Sequence, residues 1–135
     1  MSFGVSFSRP SASAPCPCGR AVFGDCCGPL LDGAPAPSAE RLMRSRYTAF
    51  AVGDDRHLAR TWHPRTRPDE IDLDDIEWVG LVVEDAAEEG DAATVTFRAA
   101  WRRGTERGEL AELSRFVRRA GRWVYVDGVV NPPGA

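Results

Sequence analysis

The sequence predicts an α+β domain in which two helices precede an antiparallel sheet, with a small cysteine-rich knuckle in front of them. Three observations support this prediction. Apolar residues recur every three or four positions between residues 38 and 53. Between residues 78 and 130, stretches that favour strands are separated only by short turns. All four cysteines fall between residues 16 and 27.

The first predicted helix begins at Ser38, whose hydroxyl can accept a hydrogen bond from a free backbone N–H of the first turn. The periodic apolar pattern defines one face of this helix, and Gly53 suits its end. Asp54 and Asp55 predict the start of a second, shorter helix, because carboxylates stabilise the positive end of the helix dipole. We expect that helix to continue to about Trp62.

Four strands are predicted after the helices, at residues 78–84, 93–102, 109–119 and 122–130. The segments between them are rich in glycine and charged residues, as turns are. Short turns join neighbouring strands in the antiparallel direction. One face of this sheet must be covered by the helices, since its Phe, Trp and Val side chains would otherwise lie in water.

The composition excludes several classes of protein. The 135 residues carry a net charge of −3, which argues against a dedicated nucleic-acid binder. Every basic residue except histidine is arginine. No apolar run approaches the roughly 20 residues that span a bilayer. The first 15 residues lack the basic start and apolar stretch of a signal peptide, so we expect a cytoplasmic protein with no membrane partner.

The expected organisation has four parts. Residues 1–15 are rich in Ser, Ala and Pro and are predicted to be a disordered tail. Residues 16–28 form the knuckle, and residues 29–37 read as a linker because they are rich in helix breakers. Residues 38–135 form the α+β domain.

The cysteines follow the pattern C-P-C-x7-C-C, and all four are candidate metal ligands: Cys16, Cys18, Cys26 and Cys27. In a cytoplasmic protein, clustered thiols are more often a metal site than disulfides. Four thiolates around one zinc ion make a closed, structural site. Two alternatives remain open from the sequence: free or redox-active cysteines, and an iron–sulfur cluster.

The motifs C-P-C-G and C-C-G resemble the SEC-C zinc motif, which also occurs in the C-terminal tail of the translocation ATPase SecA. The strings A-P-S-A-E-R-L-M-R-S-R-Y-T-A-F (36–50), T-W-H-P (61–64) and R-W-V-Y-V-D-G (122–128) resemble the YchJ family of bacterial proteins. This resemblance implies a structural zinc knuckle joined to a nuclear-transport-factor-2-like cone, in which helices pack on a curved sheet around a pocket. The motif usually has eight residues between its cysteine pairs, and here there are seven.

Candidate pocket residues come from the first helix, the end of the second helix and the last two strands: Arg46, Tyr47, Trp62, Ser114, Phe116, Trp123 and Tyr125. Arg46 shares the apolar face of the first helix, and a buried arginine requires a carboxylate or an anionic ligand. Glu112 and Asp127 are its expected partners. Arg44 lies about 200° from Arg46 around the helix, so the two cannot both face the pocket.

The favoured function is that of a non-enzymatic zinc-binding protein. The similar knuckle of SecA contacts a chaperone, so the resemblance implies another protein as a partner of the knuckle. A small ligand in the pocket is the second expected partner. Cone folds often dimerise through their sheets, which makes a homodimer a further expectation.

Two alternatives come from other classes. In the first, the domain is a lyase or isomerase in which His63 works as an acid or base with Glu112 or Asp127. This requires His63 to lie within reach of a carboxylate in a closed pocket. In the second, the knuckle and the arginine-rich second hairpin bind nucleic acid. His57, in a polar stretch, is expected at the surface.

Overall fold

The computed structural model describes residues 8–73 and 75–132. In this part of the chain, helices precede a sheet, so the predicted α+β order is confirmed. A 3-10 turn at Phe23–Asp25 is followed by the helices α1 (Cys27–Leu31), α2 (Ala39–Val52) and α3 (Asp55–Arg60). The strands are β1 (Glu77–Glu89), β2 (Ala92–Arg103), β3 (Glu106–Arg119) and β4 (Arg122–Val130).

Helices α2 and α3 begin where the sequence predicts. The Ser38 hydroxyl accepts a hydrogen bond from the backbone N–H of Arg41 at 3.1 Å. The Asp54 carboxylate accepts one from the backbone N–H of His57 at 3.0 Å. Gly53 ends α2 in the left-handed conformation, with φ of 77°. Among the helices of the described residues, none is long and apolar enough to cross a bilayer.

The sheet has the strand order β1-β2-β3-β4, with every neighbouring pair antiparallel. The strands are longer than predicted at two turns. Strand β1 continues through residues 85–89, and β3 begins at residue 106, because backbone pairing with β2 holds these polar residues in the ladder. The sequence prediction relied on alternating apolar residues, and these segments were not predicted as strands because their side chains are mostly polar.

A short segment after α3 extends the sheet beyond β4. The backbone N–H of Tyr125 donates to the Thr61 carbonyl at 2.8 Å, and the N–H of His63 donates to the Tyr125 carbonyl at 2.7 Å. Helix α3 therefore ends at Arg60 rather than near Trp62. The parallel bridge between Trp62 and Tyr125 fixes the Trp62 ring against the inner face of the sheet.

Three bulges curve the sheet, two in β1 and one in β4. In β4, Asp127 pairs with Arg115 while Tyr125 pairs with Phe116, so Val126 is an extra residue. One extra residue turns the following side chains to the opposite face. Simple alternation along β4 predicts Asp127 on the same face as Tyr125, and the bulge makes that prediction wrong.

The knuckle and the α+β domain share one hydrophobic core. Its members include the four cysteines and Phe23 as well as side chains from α2 and the sheet. Leu30 and Leu31 of α1, inside the segment predicted as a linker, are each 4% exposed. The Arg60 guanidinium donates to the carbonyls of both leucines, which ties α1 to α3.

Residues 11–15, predicted to belong to a disordered tail, are ordered by backbone hydrogen bonds to the knuckle. The N–H of Phe23 donates to the Ala14 carbonyl at 2.8 Å, and the N–H of Gly24 donates to the Ala12 carbonyl at 2.9 Å. A Cβ at Gly24 would lie 2.8 Å from the Cβ of Ala12, so this close approach needs glycine. Residues 1–7 of the predicted tail lie outside the described residues.

Candidate functional site

The four cysteine side chains converge on one point. Their Sγ atoms all lie within 4.8 Å of one another, and each residue is at most 4% exposed. The Sγ atoms of Cys18 and Cys26 are 3.4 Å apart, and those of Cys26 and Cys27 are 4.0 Å apart. Sulfurs bound tetrahedrally at about 2.3 Å from zinc would be about 3.8 Å apart, whereas a disulfide needs about 2.05 Å. The free thiols therefore suit one metal ion.

Local backbone structure brings these ligands together. Gly19 adopts a φ of +83°, and its N–H donates to the Cys16 carbonyl at 2.9 Å, which closes the tight turn around the first cysteine pair. The N–H of Cys16 donates to the Ala21 carbonyl at 2.9 Å. Cys26 follows the 3-10 turn, and Cys27 is the first residue of α1. The loop of seven residues thus still lets the four sulfurs meet.

Helix α2 supplies the hydroxyl that contacts the sulfurs. The Thr48 hydroxyl donates to the Cys27 Sγ at 3.3 Å and lies 3.7 Å from the Cys16 Sγ. Thr48 is fully buried. Such outer contacts orient metal ligands and tune their basicity.

Three guanidinium groups surround the cluster. Arg20 donates from Nε to the Cys26 Sγ at 3.3 Å. From α2, Arg44 donates to the Cys18 carbonyl at 3.0 Å and Arg41 donates to the Cys26 carbonyl at 3.4 Å. These positive charges offset the negative charge that four thiolates leave around a divalent ion.

The thiols interact strongly with each other. Hydrogen bonding with Cys16, together with burial, raises the pKa of Cys18 to about 11. The Cys18 thiol is therefore protonated at neutral pH unless a cation lies among the sulfurs. This donor set fits a thiophilic metal ion.

A separate cavity of about 280 Å³ lies between α2 and the inner face of the sheet. Its wall contains six of the seven predicted pocket residues, namely Arg46, Tyr47, Trp62, Ser114, Phe116 and Tyr125, together with Glu112. The remaining wall residues were not predicted: Met43, Phe50, Trp78, Phe97, Ala99 and Leu110. Met43 and Phe50 lie one helical turn from Tyr47 and Arg46. Their spacing along the helix could therefore have predicted that they line the cavity.

Arg46 is the buried cation of this cavity and is 7% exposed. Its guanidinium carbon lies 4.8 Å from the Trp62 ring centroid and 4.5 Å from that of Tyr125. Nη1 donates to the Leu58 carbonyl at 2.9 Å and to the Thr61 hydroxyl at 2.7 Å. Burial lowers the pKa of Arg46 to about 10, so the group stays charged at neutral pH.

The expected ion pair of Arg46 with Glu112 or Asp127 is not formed. Glu112 accepts at Oε2 from the Ser114 hydroxyl at 2.5 Å and from the Tyr125 hydroxyl at 3.4 Å. A Cβ at Gly128 would clash with that oxygen, so glycine leaves room for the carboxylate. Arg46 instead reaches the end of α3, because the segment after that helix is pinned to β4.

Two aromatic residues of the wall hold unpaired donors. The indole Nε1 atoms of Trp62 and Trp78 are buried and find no hydrogen-bond acceptor within residues 8–73 and 75–132. The Trp78 ring packs edge-on against Tyr47, with centroids 6.2 Å apart. An unpaired buried donor costs about 1–3 kcal/mol, which marks the cavity wall as incompletely satisfied.

Three predicted residues lie outside this cavity. Trp123 is 4% exposed and lines a smaller space of about 60 Å³ near α1. Asp127 lies on the outer face, where it accepts two hydrogen bonds from Arg115 at 2.6 Å. His63 is partly exposed and accepts at Nδ1 from the backbone N–H of Arg65 at 3.0 Å. The acid–base set of the lyase or isomerase alternative is therefore not assembled.

The prediction that His57 lies at the surface is wrong, since this residue is 2% exposed. Its Nε2 lies 2.8 Å from the Ser45 hydroxyl, which donates to the Leu42 carbonyl at 2.7 Å. Its Nδ1 lies 3.2 Å from an Arg60 nitrogen, which can only donate. Both ring nitrogens are thus used in a neutral imidazole, and burial lowers its pKa to about 3. Ser45 is fully buried, so this pair supports packing rather than nucleophilic chemistry.

Comparison with known proteins agrees with this architecture. A family model described as "YchJ, middle NTF2-like domain" matches residues 38–128. A UPF0225 protein of Streptomyces coelicolor is 54% identical over 121 residues, which cover 84% of this chain and 94% of the relative. A UPF0225 protein of Chromobacterium violaceum is 45% identical over 132 residues, which cover 91% of this chain and 98% of the relative.

Two solved structures are similar over most of the chain. The solution structure of a SEC-C motif containing protein from Rhodopseudomonas palustris has a TM-score of 0.78 and 36% identity, covering 87% of this chain and 98% of the other. The crystal structure of a SEC-C motif containing protein from Psychrobacter arcticus has a TM-score of 0.75 and 25% identity, covering 92% and 86%. The predicted nuclear-transport-factor-2-like cone with an N-terminal cysteine knuckle is confirmed. The chain belongs to the YchJ (UPF0225) family.

Proposed function

We propose that this protein is a zinc-stabilised module whose cavity binds a small ligand. The observation that carries the zinc part is the convergence of four buried sulfurs within 4.8 Å of one another. Thiolate ligands select zinc among the common divalent ions, and four of them leave no open position for catalysis. The ion would cross-link the first cysteine pair to α1, and through Thr48 to α2.

Elemental analysis of the purified full-length protein tests the zinc assignment. We expect about one zinc ion per chain and no visible absorption from an iron–sulfur cluster. Cys26→Ser should lose the metal, whereas Val22→Ser, at an exposed knuckle position, should keep it. A folded wild-type protein that carries no zinc, or one that carries iron and sulfide, contradicts the assignment.

The observation that carries ligand binding is the cavity of about 280 Å³ with a buried arginine and unpaired donors in an aromatic wall. Binding sites combine mostly apolar walls with a few polar groups that orient the ligand. Docking of another protein on the knuckle has less support than ligand binding in the cavity. Most apolar side chains of the knuckle pack inward, and Val22, at 39% exposed, is the main exception.

A fragment screen by ligand-detected NMR tests the cavity, using the zinc-loaded full-length protein. Ala99 lines the cavity and Ala100, its neighbour in β2, faces the other side of the sheet. Ala99→Leu should fill the cavity and abolish binding, and Ala100→Leu should leave binding unchanged. The absence of any fragment that distinguishes these two variants would refute this part of the proposal.

A further inference from the structure

Arg46 and Glu112 are opposite charges in one cavity wall that do not touch. The Tyr125 ring spaces them, with its face 4.5 Å from the guanidinium carbon and its hydroxyl 3.4 Å from Glu112 Oε2. Arg46 is buried and Glu112 is partly buried, and opposite charges at such positions are normally in contact or bridged by hydrogen-bonding groups. A polar ligand placed between these two groups should therefore gain more binding free energy than it would elsewhere along the wall.

Each of the two groups has hydrogen-bonding capacity left. Both hydrogen bonds of Arg46 leave from Nη1, so its Nε and Nη2 donors find no acceptor in the described part of the chain. Glu112 accepts both hydroxyls at Oε2, which leaves Oε1 without a donor among the same residues. The cavity therefore offers donors on one side and an acceptor on the other.

Charge balance selects among possible ligands. Arg46 and Glu112 contribute one positive and one negative charge, so the wall is neutral as it stands. A carboxylate or phosphate would leave an uncompensated negative charge in the cavity, and a cation would leave a positive one. Both outcomes are costly in an apolar surrounding. A neutral ligand avoids this cost.

The wall also restricts the shape of the ligand. Tyr47 and Trp78 pack edge to face, as do Trp62 and Tyr125, whose ring planes are 85° apart. Such walls favour flat rings that stack or pack edge-on. A volume of about 280 Å³ suits a compound of one or two rings.

We propose that the cavity binds a neutral, planar amide or lactam, whose carbonyl accepts from Arg46 and whose N–H donates to Glu112. This inference rests on the proposed ligand-binding function and specifies its chemical class. The carbonyl would take the free donors of the guanidinium, and the amide N–H would take Glu112 Oε1. The ring attached to the amide would pack between the aromatic side chains.

Three probes of nearly identical shape test this class: benzamide, benzoate and benzamidine. They carry the same ring and differ in charge, being neutral, negative and positive at pH 7.5. Titration of the zinc-loaded full-length protein, followed by ligand-detected NMR and tryptophan fluorescence, should show benzamide binding at least tenfold more tightly than the other two. A preference for benzoate or benzamidine would overturn the amide class while leaving ligand binding intact.

The variant Glu112→Gln provides a second test of the amide class, because it removes the negative charge and keeps the side-chain shape. Benzoate should then gain about tenfold relative to benzamide. Glu109→Gln is the matched control, since Glu109 pairs with Arg98 on the outer face of the sheet. An unchanged order of probes in Glu112→Gln contradicts the inference.

Failure of the inference and failure of the proposed function are distinguishable. If none of the three probes binds but the fragment screen finds other cavity ligands, the amide class is wrong and ligand binding stands. If neither the probes nor the screen gives a cavity ligand, both are wrong.

Discussion

The cysteine knuckle and the cavity lie against different faces of the same helix. They differ in how far their polar groups are paired by hydrogen bonds within the chain. Arg41, Arg44 and Thr48 of α2 point to the knuckle, whereas Arg46 and Tyr47 point to the cavity. The prediction that Arg44 and Arg46 cannot both face the pocket is confirmed by this division.

In the knuckle, the sulfurs and the carbonyls around them have close partners. In the cavity, an arginine keeps unused donors and two indole N–H groups have no acceptor in the described residues. A site that holds its own structure together needs its polar groups satisfied within the chain. A site that binds something else keeps part of that capacity for the ligand. The difference is the one expected if the knuckle has the structural role and the cavity the binding role that we propose.

The largest effect should come from breaking the knuckle. Cys26→Ser removes one of the four proposed metal ligands, and we expect the shared core to transmit the loss to the whole domain. We expect the free energy of unfolding to fall by more than about 3 kcal/mol, measured by urea denaturation. Val22→Ser should change it by less than about 1 kcal/mol. Equal stabilities of Cys26→Ser and wild type would show that the knuckle is not structural.

The second effect concerns His57 of α3, which pairs with Ser45 of α2. Its folded-state pKa of about 3 lies below the ordinary value of 6.5, so protonation favours the unfolded chain. Burial is the largest cause of this low pKa, and the positive charges of nearby Arg60 and Arg46 lower the pKa further. Stability is therefore complete above pH 6.5 and falls as the pH drops from 6.5 towards 3, by about 2 kcal/mol between pH 6.5 and 5.

The pH dependence of unfolding of the zinc-loaded protein between pH 7.5 and 5 checks this prediction. His57→Gln should lower stability at pH 7.5 and flatten the decline at lower pH. His63→Gln, at the partly exposed histidine, should keep the wild-type decline. An identical slope in wild type and His57→Gln would place the pH sensitivity elsewhere.

A third comparison deletes the α2 hydroxyl that contacts the knuckle. Thr48→Val keeps the shape of the side chain and removes the donor to the Cys27 Sγ. We expect a loss of about 1–2 kcal/mol in stability and about tenfold in zinc affinity, measured by chelator competition. If zinc affinity is unchanged, Thr48 packs against the sulfurs without orienting them.

The smallest effect should come from deleting a hydroxyl in the cavity. Tyr125→Phe removes the long hydrogen bond to Glu112, which keeps its bond to Ser114. Stability should fall by less than about 1 kcal/mol in the same urea assay, with zinc content unchanged. A loss larger than that of Thr48→Val would reverse the contrast between the two regions.

Most of the fold and part of the site follow from local patterns. Helix α2 starts at a hydroxyl cap and ends at a glycine, both readable in the sequence. The cavity wall shows how far prediction from local patterns extends. Periodicity named Arg46, Tyr47, Ser114 and Phe116, which line the cavity, but it did not name Trp78, which comes from the far edge of the sheet.

The failures have physical causes beyond local sequence. One extra residue in β4 sends Asp127 to the outer face, and alternation cannot reveal a bulge in advance. His57 is polar by type yet buried, because Ser45 of α2 pairs with one ring nitrogen and Arg60, three residues along α3, pairs with the other. In both cases a partner distant in the chain decided the outcome.

The sequence by itself determined the order of helices and strands, the knuckle with its four cysteines and the family. These depend on spacing, on caps and on side-chain chemistry within a few residues. Only the tertiary structure decided that the knuckle shares a core with the domain and that Arg46 and Glu112 stay apart. Such features depend on how distant segments pack, and packing is set by the whole chain at once.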